Sequence, residues 1–325
     1  MTARSPIAVL MMAYGSPESL DEMEAYLLDV RGGRPTPPAL VEEISHRYAL
    51  IGGRSPLLEL TRKQADALES LLNQSKPKGY PDFRTYLGMR HWQPRIAGAV
   101  SQIAADGIRQ VVALVMAPHS SRMSTGMYFA RLEEAIADQG LDLQVIPIDS
   151  WHNSPGFIEA IASRAMDALQ HFESGQPYIV FTAHSLPTRI LQQGDPYDTQ
   201  LRETADLVAE RLGWTADRWE FCYQSAGQSP EPWLGPQIEE VVVRLARSGK
   251  KELLVVPVGF VCDHVEVLYD IDIAAKGLAA QHGAHLERSA SLNDSPLLIG
   301  ALAELVLDAL ETQKQRLAGS SHPTH

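Results

Sequence analysis

Short runs rich in Val, Ile and Leu recur along the whole chain, and a helical pattern separates most of them from the next. The runs cover residues 7–12, 83–88, 111–117, 143–147, 178–183, 219–223, 253–258 and, more weakly, 285–288. Most lack the apolar–polar alternation of a half-exposed strand, so they read as parallel strands covered on both faces. The helical segments carry their own punctuation. Ser19 and Glu22 have the spacing of a capping box, and Leu20, Met23, Leu27 and Val30 follow on one face until Gly32-Gly33 stops the helix. Pro38 opens a second helix carrying Val41, Ile44 and Tyr48, and a third carries Leu60, Ala65, Leu68 and Leu72. Pro94, Pro155, Pro196 and Pro236 stand near the first turns of later helices, where proline is tolerated. Alternating βα units of this kind predict an α/β fold with doubly wound parallel sheets, and the strands divide into two sheets of four.

The two halves resemble each other. PIAVLMMAYGSP near the start parallels QPYIVFTAHSLP near residue 180, so that Tyr14 falls opposite His184 and Pro17 opposite Pro187. IRQVVALVMAP and KKELLVVPVGF form a second pair. The expected organisation is an N-terminal module over 1–148 and a C-terminal module over 149–292. A last helix over 293–317 packs back on the first module, and a disordered tail covers 318–325. Ligands in such sheets bind beyond the carboxyl ends of the strands. A cleft between the modules would therefore collect Tyr14, Arg90, His91, His119, His184, Gln224, Asp263, His264 and Glu266.

Composition narrows the function. The formal net charge of -12 opposes binding to nucleic acid or anionic lipid through the overall field. No run is long enough for a membrane span, and the N-terminus reads as a first strand, not a signal peptide. Cys222 and Cys262 are the only cysteines, too few to ligate an iron–sulfur cluster. Together these features point to a cytoplasmic protein.

Several residues are equipped for chemistry. His184 ends a buried run, where an imidazole is either a metal ligand or base facing the crevice, or a satisfied strand-end histidine. The segment GFVCDHVEVLYDIDIAA is unusually acidic, with Asp263 placed to cap a helix and His264 in its first turn. Glu266 and Asp270 lie four apart and share a face if it is helical. Carboxylates leading to a histidine suit a divalent cation; the alternative is an acidic first turn favoured by the helix dipole. Arg31 and Arg34, with Arg47 and Tyr48, can form a cationic rim for a carboxylate-bearing ligand, or be solvated surface residues. IGGRSPL is neither GxGxxG nor a P-loop, and no HExxH or GxSxG occurs.

The ordered segments LMMAYGSP, VRGGRPTPP, HRYALIGGRSPL, GMRHWQP, APHSS, AHSLP, YQSAGQSPEPWLGP and VVPVGFVCDHVEVLYDID resemble the ferrochelatase family over nearly the whole chain. The resemblance implies two similar modules with a porphyrin between them, ferrous iron as substrate, and neither redox chemistry nor ATP. It implies that His184 and Glu266 are catalytic and hold the metal, and that Tyr14 faces its opposite side as axial ligand of the product. Asp270 would offer a secondary metal site. Porphyrin contacts would fall on Tyr14, Arg31, Arg47, Tyr48, Ser55 and Tyr128. The MAYGSP start and scarce cysteines resemble the group acting on coproporphyrin III; protoporphyrin IX is the alternative. That group often carries a further carboxylate where Ala274 stands and a second arginine where Gly32 stands. No cofactor is implied. The resemblance further implies a monomeric lyase of haem biosynthesis, touching neighbouring enzymes of that pathway transiently. Two rivals are a chelatase for cobalt and sirohydrochlorin, and a non-catalytic two-lobed haem-binding protein.

Overall fold

The computed structural model describes residues 5–319. Among these residues, eight strands form two four-stranded parallel sheets. In the first sheet β1 (Ile7–Ala13), β2 (Phe83–Met89), β3 (Gln110–Val115) and β4 (Gln144–Ile148) lie in the order β2-β1-β3-β4. In the second, β5 (Tyr178–His184), β6 (Trp219–Gln224), β7 (Glu252–Pro257) and β8 (His285–Arg288) lie in the order β6-β5-β7-β8. The two orders are the same topology used twice, and every predicted strand is present. β1 is buried along its whole length because residues on both of its faces are covered.

The helices of the first half are α1 (Met23–Val30), α2 (Pro38–Leu50), α3 (Leu57–Ser75), α4 (Ile96–Ala105) and α5 (Thr125–Asp138). Those of the second half are α6 (Pro155–Leu169), α7 (Arg189–Gln192), α8 (Tyr197–Leu212), α9 (Ile238–Arg247), α10 (Val265–Leu268) and α11 (Lys276–Gln281), followed by α12 (Pro296–Gly319). One face of the first sheet (Ala8, Leu10, Met12, Val111, Ala113) packs on α4 and α5. One face of the second (Val180, Cys222, Leu253, Val255) packs on α9 and on the segment from Val267 to Ala279. The remaining faces share a single core in which Val9, Met11 and Leu114 join Phe181, Leu254 and Val256 through Phe157, Ile161, Leu302 and Val306. α12 packs on α3, β4 and α6, so it touches both halves. It runs to Gly319, two residues past the expected end; the rest of the expected tail lies outside the described residues.

Local details differ from the sequence expectation in instructive ways. Ser19 precedes a 3-10 turn, Leu20–Glu22, but its hydroxyl caps nothing; the Glu22 carboxylate instead accepts from the backbone N–H of Glu18 at 2.8 Å and from the Trp92 indole at 3.2 Å. Neither half of the capping box forms, because Glu22 reaches the N–H of Glu18 and not that of Ser19. Asp263 caps no helix either. Its carboxylate accepts from Ser291 (2.7 Å) and Asn293 (2.9 Å) and meets Arg288 at 3.3 Å. His264 is the N-cap of α10, its Nδ1 accepting from the N–H of Glu266 at 3.2 Å. The acidic helix then widens into a π turn, Asp270–Ala275, in which the N–H of Ala274 reaches the Tyr269 carbonyl at 2.9 Å. Such turns re-aim side chains and recur at functional sites.

The two halves match in fine detail where β2 and β6 end. Met89 N–H donates to the Pro94 carbonyl and Tyr223 N–H to the Pro236 carbonyl, at 2.6 and 2.8 Å. Both prolines follow cis peptide bonds and precede α4 and α9 respectively.

Candidate active site

β1 and β5 are central strands of their sheets, and both deliver their last residues to one cleft of about 310 Å³. The volume falls in the range of small-molecule pockets. Tyr14 enters one residue past β1 and stays 40% exposed, a large value for an aromatic ring at the end of a buried strand. His184 enters as the last residue of β5. From the sequence-predicted set, Tyr48, Ser55, Tyr128 and Glu266 line the same cleft, as do Arg90, His119 and His264. Arg31, Arg47, Asp270, His91, Gln224 and Asp263 do not.

His184 Nε2 lies 3.5 Å from Glu266 Oε1, and both side chains are about one-third exposed, at 30% and 35%. Nδ1 of His184 meets the Ser185 carbonyl oxygen. A carbonyl only accepts, so Nδ1 carries a hydrogen and Nε2 presents its lone pair to the cleft whenever the ring is neutral. The backbone carbonyl of His184 is itself held by the Tyr197 hydroxyl at 3.0 Å. Glu266 is aimed by its neighbours: the Gln224 amide, buried at the end of β6, donates to the Glu266 carbonyl at 2.7 Å.

The charges of the pair support each other. Burial alone would lower the His184 pKa, but the Glu266 carboxylate outweighs it and raises the value above 6.5. Burial would raise Glu266, but His184, helped by His264 and Arg47, brings it down to about 2. Below about pH 6.5 the pair is thus an imidazolium beside a carboxylate. A cation bound at Nε2 must displace that proton. Next along the helix, burial pushes Asp270 up to about 6 despite its hydrogen bond with Ser225, and Glu266 adds to the rise. Arg47 stands 3.7 Å from Asp270, where a second cation would have to sit. Arg47 also pairs with Glu43, so it is committed to two carboxylates.

Across the cleft, burial and then Glu266 raise Tyr14 to about 12, so it is a neutral phenol at physiological pH. Its ring lies 4.6 Å from that of His91, whose Nδ1 is held by Asp29 at 2.9 Å. Burial pulls His119 down to about 3, which makes it an uncharged part of the wall. Arg90 stacks over Tyr128 at 5.6 Å and, among the described residues, meets no carboxylate. The Ser16 hydroxyl is buried in the cleft without a partner among the described residues. Tyr26, Thr61 and Tyr197 also line it and were not foreseen. Nothing in the local sequence tells such tyrosines from core residues; only the convergence of helices on the strand ends does. Cys222 and Cys262 are buried, and burial raises both thiols, so neither supplies a thiolate near neutral pH. Among the described residues no group of three or more His, Cys, Asp or Glu is arranged to hold a metal ion. His184 and Glu266 offer two donors, which leaves most of a cation's coordination to something else in the cleft.

The spacing of this pair rests on Gly259, at the exit of β7. A Cβ built there would lie 2.6 Å from the Ala183 Cβ and 3.2 Å from its Cα. Gly259→Ala should push the 260–266 segment away from β5, destabilise the fold by about 1–3 kcal/mol and lower activity beyond what the lost stability explains. Thermal denaturation alongside steady-state rates checks this; an unchanged rate would mean that this close approach does not set the pair.

The family model described as Ferrochelatase matches residues 6–310. A ferrochelatase of Deinococcus radiodurans is 45% identical over 310 residues, covering 94% of this chain and 96% of its own. A coproporphyrin III ferrochelatase of Geobacillus thermodenitrificans is 39% identical over 312 residues, covering 95% and 97%. Among solved structures, SirB from Bacillus subtilis with Fe3+ superposes with a TM-score of 0.60, covering 95% of this chain and 98% of its own. At 12% identity that likeness shows the fold alone. Among the described residues no helix is long and apolar enough to cross a membrane.

Proposed function

This chain belongs to the ferrochelatase family, whose members insert iron into a porphyrin, and from that premise we propose that its porphyrin is coproporphyrin III and that His184 and Glu266 carry the metal step. The observation that carries the substrate reading is the Arg90 guanidinium, a cation inside the cleft with no carboxylate partner among the described residues. The unpartnered Ser16 hydroxyl lies in the same cleft. A buried donor left unpaired, as Ser16 is, is costly, and a ligand carboxylate relieves that cost. Arg31, at the end of α1, likewise has no ion pair among the described residues. Four propionates use such donors better than two. Relatives named for coproporphyrin III at 36–40% identity over most of the chain support the reading.

The reaction exchanges two pyrrole N–H protons for ferrous iron, with no change of oxidation state. Iron would first displace the proton on His184 Nε2 and rest between that nitrogen and Glu266. Two donors hold it loosely enough to be surrendered to four ring nitrogens. When iron leaves, the pair takes back one proton and returns to the imidazolium–carboxylate state. The second can reach Asp270, whose pKa of about 6 suits a temporary carrier, and pass to water. We assign Asp270 this role in preference to a second metal site, because Arg47 faces it. Tyr14, as a neutral phenol, would face the other side of the ring.

In competition under anaerobic conditions, kcat/KM with ferrous iron should favour coproporphyrin III over protoporphyrin IX by about 10²-fold, the worth of roughly two charge-assisted hydrogen bonds. Arg90→Ala or Arg31→Ala should narrow the ratio. A preference for protoporphyrin IX would overturn the substrate reading and leave iron insertion standing.

A further inference from the structure

We propose that α8 is a clamp that fixes the spacing of the two cleft walls, with Asp195 as its positioning residue, and that its rigidity keeps the bound porphyrin bent. The segment that leaves β3 of the first half runs along one side of α8 of the second and is fastened at four successive residues. His119 Nε2 meets the Thr204 hydroxyl at 2.8 Å. The N–H of Ser120 donates to the Gln200 side chain at 2.6 Å. The Ser121 hydroxyl (3.1 Å) and the N–H of Arg122 (2.8 Å) both donate to one oxygen of Asp195. Thr204 and Gln200 are four apart on the helix, and Asp195 lies just before its first turn, so the contacts follow one face. The other Asp195 oxygen accepts from the N–H of Tyr197 at 3.1 Å, which ties the carboxylate to the start of α8 itself.

What α8 connects gives this ladder its consequence. Tyr197, in its first turn, lines the cleft and holds the His184 carbonyl. The clamped segment supplies His119, Met123 and Ser124 to the opposite wall and leads into α5, which carries Tyr128. One helix thereby spaces the metal-side histidine against the wall across the cleft. Bending a flat macrocycle so that its nitrogens tilt toward the metal loads both walls. A wall tied by flexible surface contacts would yield and let the ring flatten. Asp195 is 6% exposed and its bonds are charge-assisted, which makes it the stiffest rung.

The inference rests on the family reaction alone and holds for either porphyrin, so it stands or falls separately from the substrate reading. Asp195→Asn keeps the shape but aims an amide at donors. Bound to metal-free porphyrin in the full-length protein, the variant should show weakened out-of-plane resonance Raman bands. Its kcat for iron insertion should fall about tenfold or more while porphyrin Kd changes less than about threefold. Ser121→Ala should give the same pattern in milder form, and the double variant should be no worse than Asp195→Asn alone. If Asp195→Asn does not fold, Ser121→Ala carries the test by the same readouts. Native Raman bands together with a native kcat in the variant that folds would overturn the proposal. So would a loss of kcat with the out-of-plane bands intact, which would mean that Asp195 affects turnover by a route other than ring bending.

Discussion

His184→Ala removes iron insertion: kcat falls by about 10³-fold or more, at the upper end of what a proton-transferring group contributes, because the same nitrogen also holds the cation. Metal-free porphyrin should still bind within about threefold of the native affinity, a change of less than 1 kcal/mol. The fold should survive for a concrete reason. The contact that anchors this strand end runs from the Tyr197 hydroxyl to the backbone carbonyl of residue 184, which alanine keeps. The imidazole itself is partly exposed. Stopped-flow metallation and porphyrin titration, with a thermal melt as control, check all three statements. Turnover near the native rate would remove His184 from the metal step, and a collapse of porphyrin binding would make it a ring contact instead.

Glu266→Gln should lower kcat by about 10²-fold with porphyrin affinity again nearly unchanged, since the charge acts on the cation and the proton, not on ring carboxylates. A second, independent effect follows from the electrostatics. Glu266 is what raises the His184 pKa above 6.5 against the pull of burial. A group with a raised pKa keeps its proton to higher pH, and metallation needs Nε2 free. The native rate should therefore climb with pH through a value above 6.5. In Glu266→Gln the imidazolium loses its partner, so the His184 titration moves to lower pH and the acid limb of the rate moves with it. Histidine-resolved NMR titration and pH–rate profiles read the two shifts. A His184 titration that stays where it was would mean that this carboxylate does not govern the proton on Nε2.

The fold and the centre of the site were both legible in the sequence, for the same reason. A parallel strand buried on both faces writes a continuous apolar run, and whatever follows the run stands at the sheet edge where ligands bind. Ala13-Tyr14 and Ala183-His184 could thus be aligned from the chain alone, and Glu266 could be placed just past the run that became β7. The resemblance to ferrochelatases gave these positions their chemistry. Local polar signals were read less well, because such side chains answer to whatever donor lies nearest in space. Ser19 leaves its capping role undone. Asp263 caps nothing because Arg288, Ser291 and Asn293 reach it first. The expected run of carboxylates on one helical face divides: Glu266 turns to His184, while the π turn opens at Asp270, which turns to Ser225 and Arg47.

By itself, the sequence determined the strands and their duplication, since these follow from periodicity, and the metal role proposed for His184 and Glu266 came from the resemblance to the family. Tertiary structure alone decided which of the other polar residues serve the site. Arg47 became a partner of Glu43 and Asp270, Arg90 a cleft cation without a carboxylate among the described residues, Tyr197 the support of His184, and Asp195 a tie between the halves. Each of those assignments except the Arg47–Glu43 pair depends on groups more than a helical turn away in sequence, and no local pattern records which distant segment packing will bring within hydrogen-bond reach.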